Sequence, residues 1–236
     1  MAGATIGAPS DVSSGRALAG PFLAALTEDD ARELRALGRV RTYSAGDAIY
    51  HQGDDAGSVS VLLEGRVKIA TVTAAGKEVI LAFRGPGDIV GEVGAIAGAT
   101  RSCAVRALEP VQTLAVGAAD FRRFLATHAH ASMNLVLMLI DRLQAADEAR
   151  LEFAGHDVVG RVARRLVELC ERFGEPCAEG VEVKLALSQE ELAAWTASSR
   201  EAVAKAMRLL RELGWIETRR RGVVIRELDA LRRYAA

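Results

Sequence analysis

The chain lacks any long apolar run. The longest unbroken one, Leu135–Ile140, falls far short of the roughly 20 residues that a membrane-spanning helix needs. Its opening, MAGATIGAPSDVSSGRALAG, has no basic segment followed by an apolar core, so it does not read as a secretory leader, and a cytoplasmic protein with no membrane partner is expected. Cysteine is scarce: Cys103, Cys170 and Cys177 are scattered and odd in number, with no C-x-x-C pair and no Cys/His cluster. That excludes a disulfide framework and a structural zinc site. A Walker loop is missing too, as is any combination of nucleophile, base and orienting group, so no catalytic residue and no metal ligand is assigned and an enzyme is not expected. Neither sign of charge dominates, with 30 Lys+Arg against 31 Asp+Glu and a net charge of -1. From Val158 onward there are 15 basic and 12 acidic residues (+3), which leaves -4 for the first 157. This asymmetry is mild, so the placement of charge within the last domain carries more information than its sum.

What remains is an ordinary soluble composition, 50% hydrophobic and 26% charged over 236 residues, enough for two modest domains. The first twenty residues, rich in Gly, Ala and Ser, are expected to form a mobile tail. Thr27 followed by Glu28, Asp29 and Asp30 caps a short helix with Ala31, Leu34 and Leu37 on one face, ending near Gly38. From Val40 to about Val116 the texture becomes β-rich and is punctuated by Gly46, Gly53, Gly65, Gly76, Gly85 and Gly87, which argues for an antiparallel roll with tight turns. Helix resumes near Ala118, breaks over His128–Ala131, and runs on from Met133 to Phe153. In that long helix Val136, Ile140, Leu143, Asp147 and Arg150 or Leu151 recur at intervals of three and four, the spacing of a coiled-coil seam, with an intramolecular core as the other reading. Helical signals dominate thereafter, up to a hairpin-like end, WIETRRRGVVIREL.

Residues 188–213 carry the strongest signal. Ser188 suits an N-cap with Glu191 three residues on, while Leu192, Ala193 and Trp195 give an apolar face and Thr196, Ala197 and Ser198 a turn. Ser199 caps a second helix that turns Val203, Ala206, Met207 and Leu210 inward and Arg200, Glu201 and Lys205 outward from its N-terminal end. This is how a recognition helix meets base edges: Arg matches the two guanine acceptors and Glu accepts from the cytosine amino group. Arg219, Arg220 and Arg221 sit at the tip of the following hairpin, as a phosphate clamp or as a solvated turn.

The stretch from Gly87 to Ser102 is the second informative one. Gly91 and its neighbours let backbone N–H groups approach an anion, Arg101 offers a charged fork and Ser102 a hydroxyl, a set that can hold a phosphate. Glu92 instead suits a sugar hydroxyl, and a buried Glu92–Arg101 ion pair is the alternative.

With both motifs in place, the chain from about Pro21 to Leu231 resembles the cyclic-AMP receptor protein and FNR family. The resemblance implies an α+β fold: a tail (1–20), a cyclic-nucleotide-binding β-roll of jelly-roll type (21–131), a dimerisation helix (132–156) and a winged helix-turn-helix domain (157–236). It implies that Glu92 meets the ribose 2′-hydroxyl while Arg101, Ser102 and the backbone of Gly91, Glu92 and Val93 hold the cyclic phosphate of cyclic AMP or cyclic GMP, with no permanently bound cofactor. Ala146 and Asp147 fall where cyclic-AMP-responsive members place two polar residues on the adenine. Ala146 has no side-chain donor or acceptor, whereas Asp147 can accept from adenine or from the guanine edge, or pair with Arg150. Ser188, Gln189, Ser198, Ser199, Arg200, Glu201, Lys205 and Arg219–Arg221 form the implied DNA surface, reading TGTGA-like half-sites of a palindromic operator as a homodimer, with RNA polymerase as a partner and a hinge near Gly155–Gly160. The iron–sulfur sensors of the family need an N-terminal cysteine cluster that is absent, and His51, His128, His130 and His156 are isolated rather than arranged for haem. Cys103 reads as a small core residue or a redox handle. A vestigial pocket with constitutive DNA binding is the alternative function.

Overall fold

A computed structural model describes residues 20–155, 157–185, 187–220 and 222–235. The expected tail and His156 therefore lie outside the described residues. Helix α1 (Glu28–Leu37) opens on Thr27, whose Oγ1 accepts from the Asp30 N–H at 3.1 Å, and its first turn is acidic, which complements the positive end of the helix.

Strands β1 (Gly38–Tyr43), β2 (Ala48–Tyr50), β3 (Ser58–Glu64), β4 (Val67–Val72), β5 (Glu78–Arg84) and β6 (Ile89–Val90) lead into helix α2 (Glu92–Ala97). Strands β7 (Ala104–Ala107) and β8 (Val111–Gly117) follow. They form two antiparallel sheets, ordered β1-β8-β3-β6 and β2-β7-β4-β5. Side-chain alternation gives each face a task. Val59, Val61, Leu114 and Val116 turn outward onto Phe22, Leu34, Phe121, Phe124, Leu135 and Met138. Leu62, Val67, Val90, Val105, Ala107 and Val111 fill the space between the sheets. The outer face of the second sheet supplies Ala70, Ile80 and Phe83 to a core shared with the C-terminal helices.

Helix α3 (Ala118–Thr127) and the 27-residue α4 (Ala129–Gly155) are separated by His128 alone. The expected break over His128–Ala131 is thus too long. His128 Nδ1 bonds the Phe124 carbonyl at 2.8 Å and its ring stacks on Phe124, so the chain turns within one residue. Helix α4 buries Ala131, Leu135 and Met138 against the roll and leaves Met133, Val136, Ile140 and Leu143 outside, 58%, 48%, 38% and 61% exposed. These four recur at heptad spacing and form an exposed apolar stripe with no partner among the described residues.

Asp157 caps α5 (Val158–Phe173) by accepting from the Gly160 N–H at 2.8 Å. Strands β9 (Gly174–Cys177) and β10 (Gly180–Val183) come next, where continued helix was expected. They are short, half-exposed and without alternation, and β10 is held by β12, some 40 residues on, so no local pattern announces them. Helices α6 (Gln189–Thr196) and α7 (Arg200–Glu212), strands β11 (Ile216–Arg219) and β12 (Gly222–Ile225) and helix α8 (Leu228–Tyr234) complete the winged unit, whose sheet runs β11-β12-β10-β9. Among the described residues no helix is long and apolar enough to cross a membrane.

Candidate functional site

The roll end is organised around Arg101, only 5% exposed. Its Nη1 donates to the Gly91 carbonyl at 2.8 Å, its Nη2 to the Ser58 carbonyl at 2.6 Å, and its guanidinium lies 3.6 Å from the centre of the Tyr50 ring. Nε is buried with no partner. Gly91 sits at φ 81, a left-handed conformation, and a Cβ there would press on Arg101 Nη1 and stand 2.8 Å from the Tyr50 ring. Glycine is required on both counts, and its position lets the N-terminus of α2 face the arginine. Glu92, 4% exposed, pairs with Arg142 of α4 at 2.7 Å, and Arg142 also donates to the Ile89 carbonyl at 2.9 Å. The alternative Glu92–Arg101 pair is not formed. Arg142 was missed in the sequence, although it lies four residues before Ala146 on the same helix face.

The other expected effector residues stand apart from this buried set. Val93 is 53% exposed and Ser102 is exposed, its hydroxyl 3.9 Å from Cys103 Sγ. Ala146 is exposed one helical turn beyond Arg142, and Asp147 makes an exposed pair with Arg150 at 2.8 Å, the alternative raised above. Burial raises the Cys103 thiol pKa, which disfavours the reactive thiolate.

At the DNA end, Ser188 and Glu191 form a full capping box: Ser188 Oγ accepts from the Glu191 N–H at 3.1 Å, and the Glu191 carboxylate accepts from the Ser188 N–H at 3.0 Å. Gln189 is exposed beside it. The turn passes through Ala197 at φ 46 and is anchored from α5, where Arg161 Nε donates to the Thr196 carbonyl at 3.0 Å and its Nη2 to Ser198 Oγ at 3.1 Å. Ser198 therefore serves the turn itself. Ser199 caps α7 at the Ala202 N–H, 3.2 Å away. Val203, Ala206, Met207 and Leu210 are buried while Arg200, Glu201 and Lys205 stand exposed together. Hydrogen bonding from its own backbone and from Ser199, with help from Arg200 and Lys205, holds the Glu201 carboxyl below the ordinary carboxylate range, so it is a charged acceptor at neutral pH.

In the wing, Arg219 sits among Glu179, Glu182 and Glu217 at 3.4, 3.4 and 3.3 Å, because the β10-β12-β11 register places Glu182 and Glu217 on either side of Val224. Arg220 is exposed at the tip, and Arg221 lies outside the described residues.

Roll and winged unit touch through specific contacts. Phe83 of β5 meets Trp195 of α6 edge to face at 4.5 Å. Lys68 bridges Glu78 at 2.9 Å and Glu191 at 3.2 Å, Arg172 pairs with Asp88 at 2.8 Å, and Arg66 reaches the Lys184 carbonyl at 2.7 Å. Burial opposes the charge on Lys68, but Glu78 and Glu191 outweigh it and raise its pKa.

A roll with an arginine–glycine cassette, a long helix with an outward apolar stripe and a capped helix-turn-helix with a wing define the class: DNA-binding transcription regulators with a cyclic-nucleotide-type sensor domain. Residues 40–128 match the cyclic nucleotide-binding domain family and residues 160–234 the Crp-like helix-turn-helix domain family. The chain belongs to the Crp/Fnr family of transcription regulators. It is 28% identical over 193 residues to the CRP-like cAMP-activated global transcriptional regulator of Mycobacterium tuberculosis, covering 82% of this chain and 86% of the relative. It is 27% identical over 191 residues to the cAMP-activated global transcriptional regulator CRP of Escherichia coli, covering 79% and 89%. Its fold matches that of FixK2 from Bradyrhizobium japonicum, with a TM-score of 0.75 at 22% identity over 84% of this chain and 98% of the other.

Proposed function

We propose that the protein is a homodimer whose affinity for a palindromic, TGTGA-like operator is set by a cyclic nucleotide, cyclic AMP or cyclic GMP, held in the roll, and that it acts on transcription through RNA polymerase in the cytoplasm. The observation that carries this reading is the buried Arg101 set against Gly91 at the start of α2, with Glu92 beside it tied to the long helix by Arg142. An anion entering there meets the orphan Nε of Arg101 and the N-terminus of α2, and a sugar hydroxyl meets Glu92. Any rearrangement at Glu92 passes to α4 through Arg142. The apolar stripe on α4 supports the dimer, which spaces two copies of α7 for two half-sites. In this reading the roll ends near residue 131, α4 is the dimerisation element, and the DNA-binding unit starts at Asp157.

A second reading, constitutive DNA binding with a vestigial pocket, is favoured by one observation. Both Nη groups of Arg101 already donate to the Gly91 and Ser58 carbonyls, and its guanidinium stacks on Tyr50. Calorimetric titration with cyclic AMP and cyclic GMP, paired with operator binding, separates the two. Saturable binding that raises operator affinity, lost in Arg101→Leu with the fold intact, supports the sensor. Full operator binding without nucleotide and no titration heat refutes it. Asp147→Ala tests base contact: unchanged nucleotide preference removes Asp147 from the site.

A further inference from the structure

The winged unit meets the roll at the turn between β5 and β6. The Asp88 N–H closes that turn on the Gly85 carbonyl at 3.1 Å, and a Cβ on Gly85 would stand 2.8 Å from the Phe173 ring, so glycine there seats the end of α5. One oxygen of Asp88, Oδ2, accepts from the Gly85 N–H at 2.9 Å and from Nη2 of Arg172 on α5 at 2.8 Å. Just before the turn, the Phe83 ring meets Trp195 of α6. Arg84 lies between these two points of contact and serves neither. It is 8% exposed, its Nη1 donates to the Phe83 carbonyl at 2.8 Å, its Nε is buried without a partner, and among the described residues no carboxylate pairs with it. Burial, then the charges of Arg142 and Arg172, lower its pKa to about 9 against the pull of Asp88 and Glu168, which still leaves it charged at neutral pH.

Asp88 is within reach of Arg84. Its carboxylate bonds the amide that directly follows Arg84, closer to the Arg84 Cα than an extended arginine side chain is long. Two arginines thus face one buried carboxylate, Arg172 from the winged unit and Arg84 from the roll. The α5 acid near Arg84, Glu168, is taken by Arg165 at 2.9 Å, which leaves Asp88 as the group to be shared. While Arg172 holds it, the Arg84 guanidinium stays desolvated on one neutral acceptor, which costs free energy until a carboxylate completes it. We propose that Asp88 is the exchangeable half of a latch: it pairs with Arg172 when the winged unit is docked on the roll and with Arg84 when that unit is released. Arg84 therefore acts against docking, and the helix-turn-helix is held on the roll by a contact that a neighbour stands ready to replace. The exchange involves no effector and is independent of what the roll binds.

The test is a double-mutant cycle on the full chain in a Trp215→Phe background, which leaves Trp195 as the only tryptophan. Acrylamide quenching of Trp195 along a urea series gives the equilibrium constant for uncovering this side chain, which is buried in the docked chain. With Arg84 able to replace Arg172 on Asp88, Arg172→Met should raise that constant by no more than about threefold. Made on top of Arg84→Met, the same substitution strands the carboxylate and should raise it by at least about thirtyfold. Adding Asp88→Asn to the double variant should recover most of that loss. Arg84→Met alone should lower the constant or leave it unchanged, the reverse of what losing a structural side chain does. Arg84→Gln, which keeps a donor for the Phe83 carbonyl without the charge, should behave in the same way and stands in should the methionine variant misfold. An effect of Arg172→Met that differs by less than about tenfold between the two backgrounds, a constant that rises in both Arg84 variants, or a loss that persists with Asp88→Asn overturns the inference.

Discussion

The stripe on α4 makes a quantitative claim about assembly. Leu143 is 61% exposed within the chain, and Met133, Val136 and Ile140 continue the same face. Fully burying a leucine side chain is worth about 1.5–3 kcal/mol, so covering the exposed part of Leu143 contributes about 1–2 kcal/mol per protomer. A two-fold seam uses each residue twice, which makes about 2–4 kcal/mol per dimer. Leu143→Glu removes that contribution and sets two like charges on the seam. The dimer dissociation constant should therefore rise by about a hundredfold or more. Because the side chain is mostly exposed within the protomer, the melting temperature of the dissociated chain should stay within about 2–4 °C of wild type. Sedimentation equilibrium over a range of concentrations reads the constant, with Leu209→Glu, an exposed leucine on α7, as the control that leaves it unchanged. A monomeric wild type, or a Leu143→Glu variant that dimerises as wild type does, refutes the assignment of this face.

Other consequences follow from the buried contacts. Arg142→Met strands the Glu92 carboxylate inside the roll and should destabilise it by about 3–5 kcal/mol, with Glu92→Gln in the same chain restoring much of the loss; chemical denaturation reads both. His128 has a folded pKa raised above its ordinary 6.5, chiefly by the Phe124 carbonyl and then by Glu33 and Asp30, against some opposing burial. A raised pKa contributes stability that is complete below the unfolded value and is lost as pH rises through the folded one, so the melting temperature should drop above about pH 6.5 in wild type and drop less in His128→Gln. On DNA, Arg200→Ala should relax sequence preference by about 1–3 kcal/mol at one position, whereas Arg220→Ala should weaken all sequences alike and reduce the salt slope by about one; competition binding at two salt concentrations separates them. Trp195→Ala should cost about 3–5 kcal/mol, since it removes the ring that Phe83 and Arg165 pack against.

The features legible in the sequence are those whose physics is local. The Thr27 and Ser188 caps need only a hydroxyl and an N–H three residues on, and both form as read. The inward set of α7 is a periodicity within one element, and it too appears in place. The C-terminal strand pair β9–β10 escaped because its partner β12 lies far along the chain and its own residues carry no alternation. The same holds for side-chain roles. Glycine at 91 was readable as a close approach, but what approaches it, Arg101 stacked on Tyr50, brings together residues 50, 91 and 101 and depends on the closed roll. Glu92 was placed in the pocket by its neighbours, yet its partner Arg142 comes from a helix 50 residues away. Arg219 looked like part of a basic run, and only the sheet register reveals the three carboxylates around it. A motif thus fixes which groups are available at a site, while the pairing across elements fixes which of them are already occupied. Arg200, Glu201 and Lys205 stand with side chains exposed, whereas under the proposed function Arg101 would have to exchange two carbonyls and a ring for a ligand. On that proposal DNA contact would need no rearrangement within α7, and effector binding would need one within the roll. A sensor whose pocket must open in this way binds more weakly than the same pocket preformed, by the fraction of molecules already open. Tyr50→Leu, which removes the ring held against Arg101, should therefore tighten nucleotide binding; weaker binding would mean that the ring belongs to the ligand site and not to the closed state.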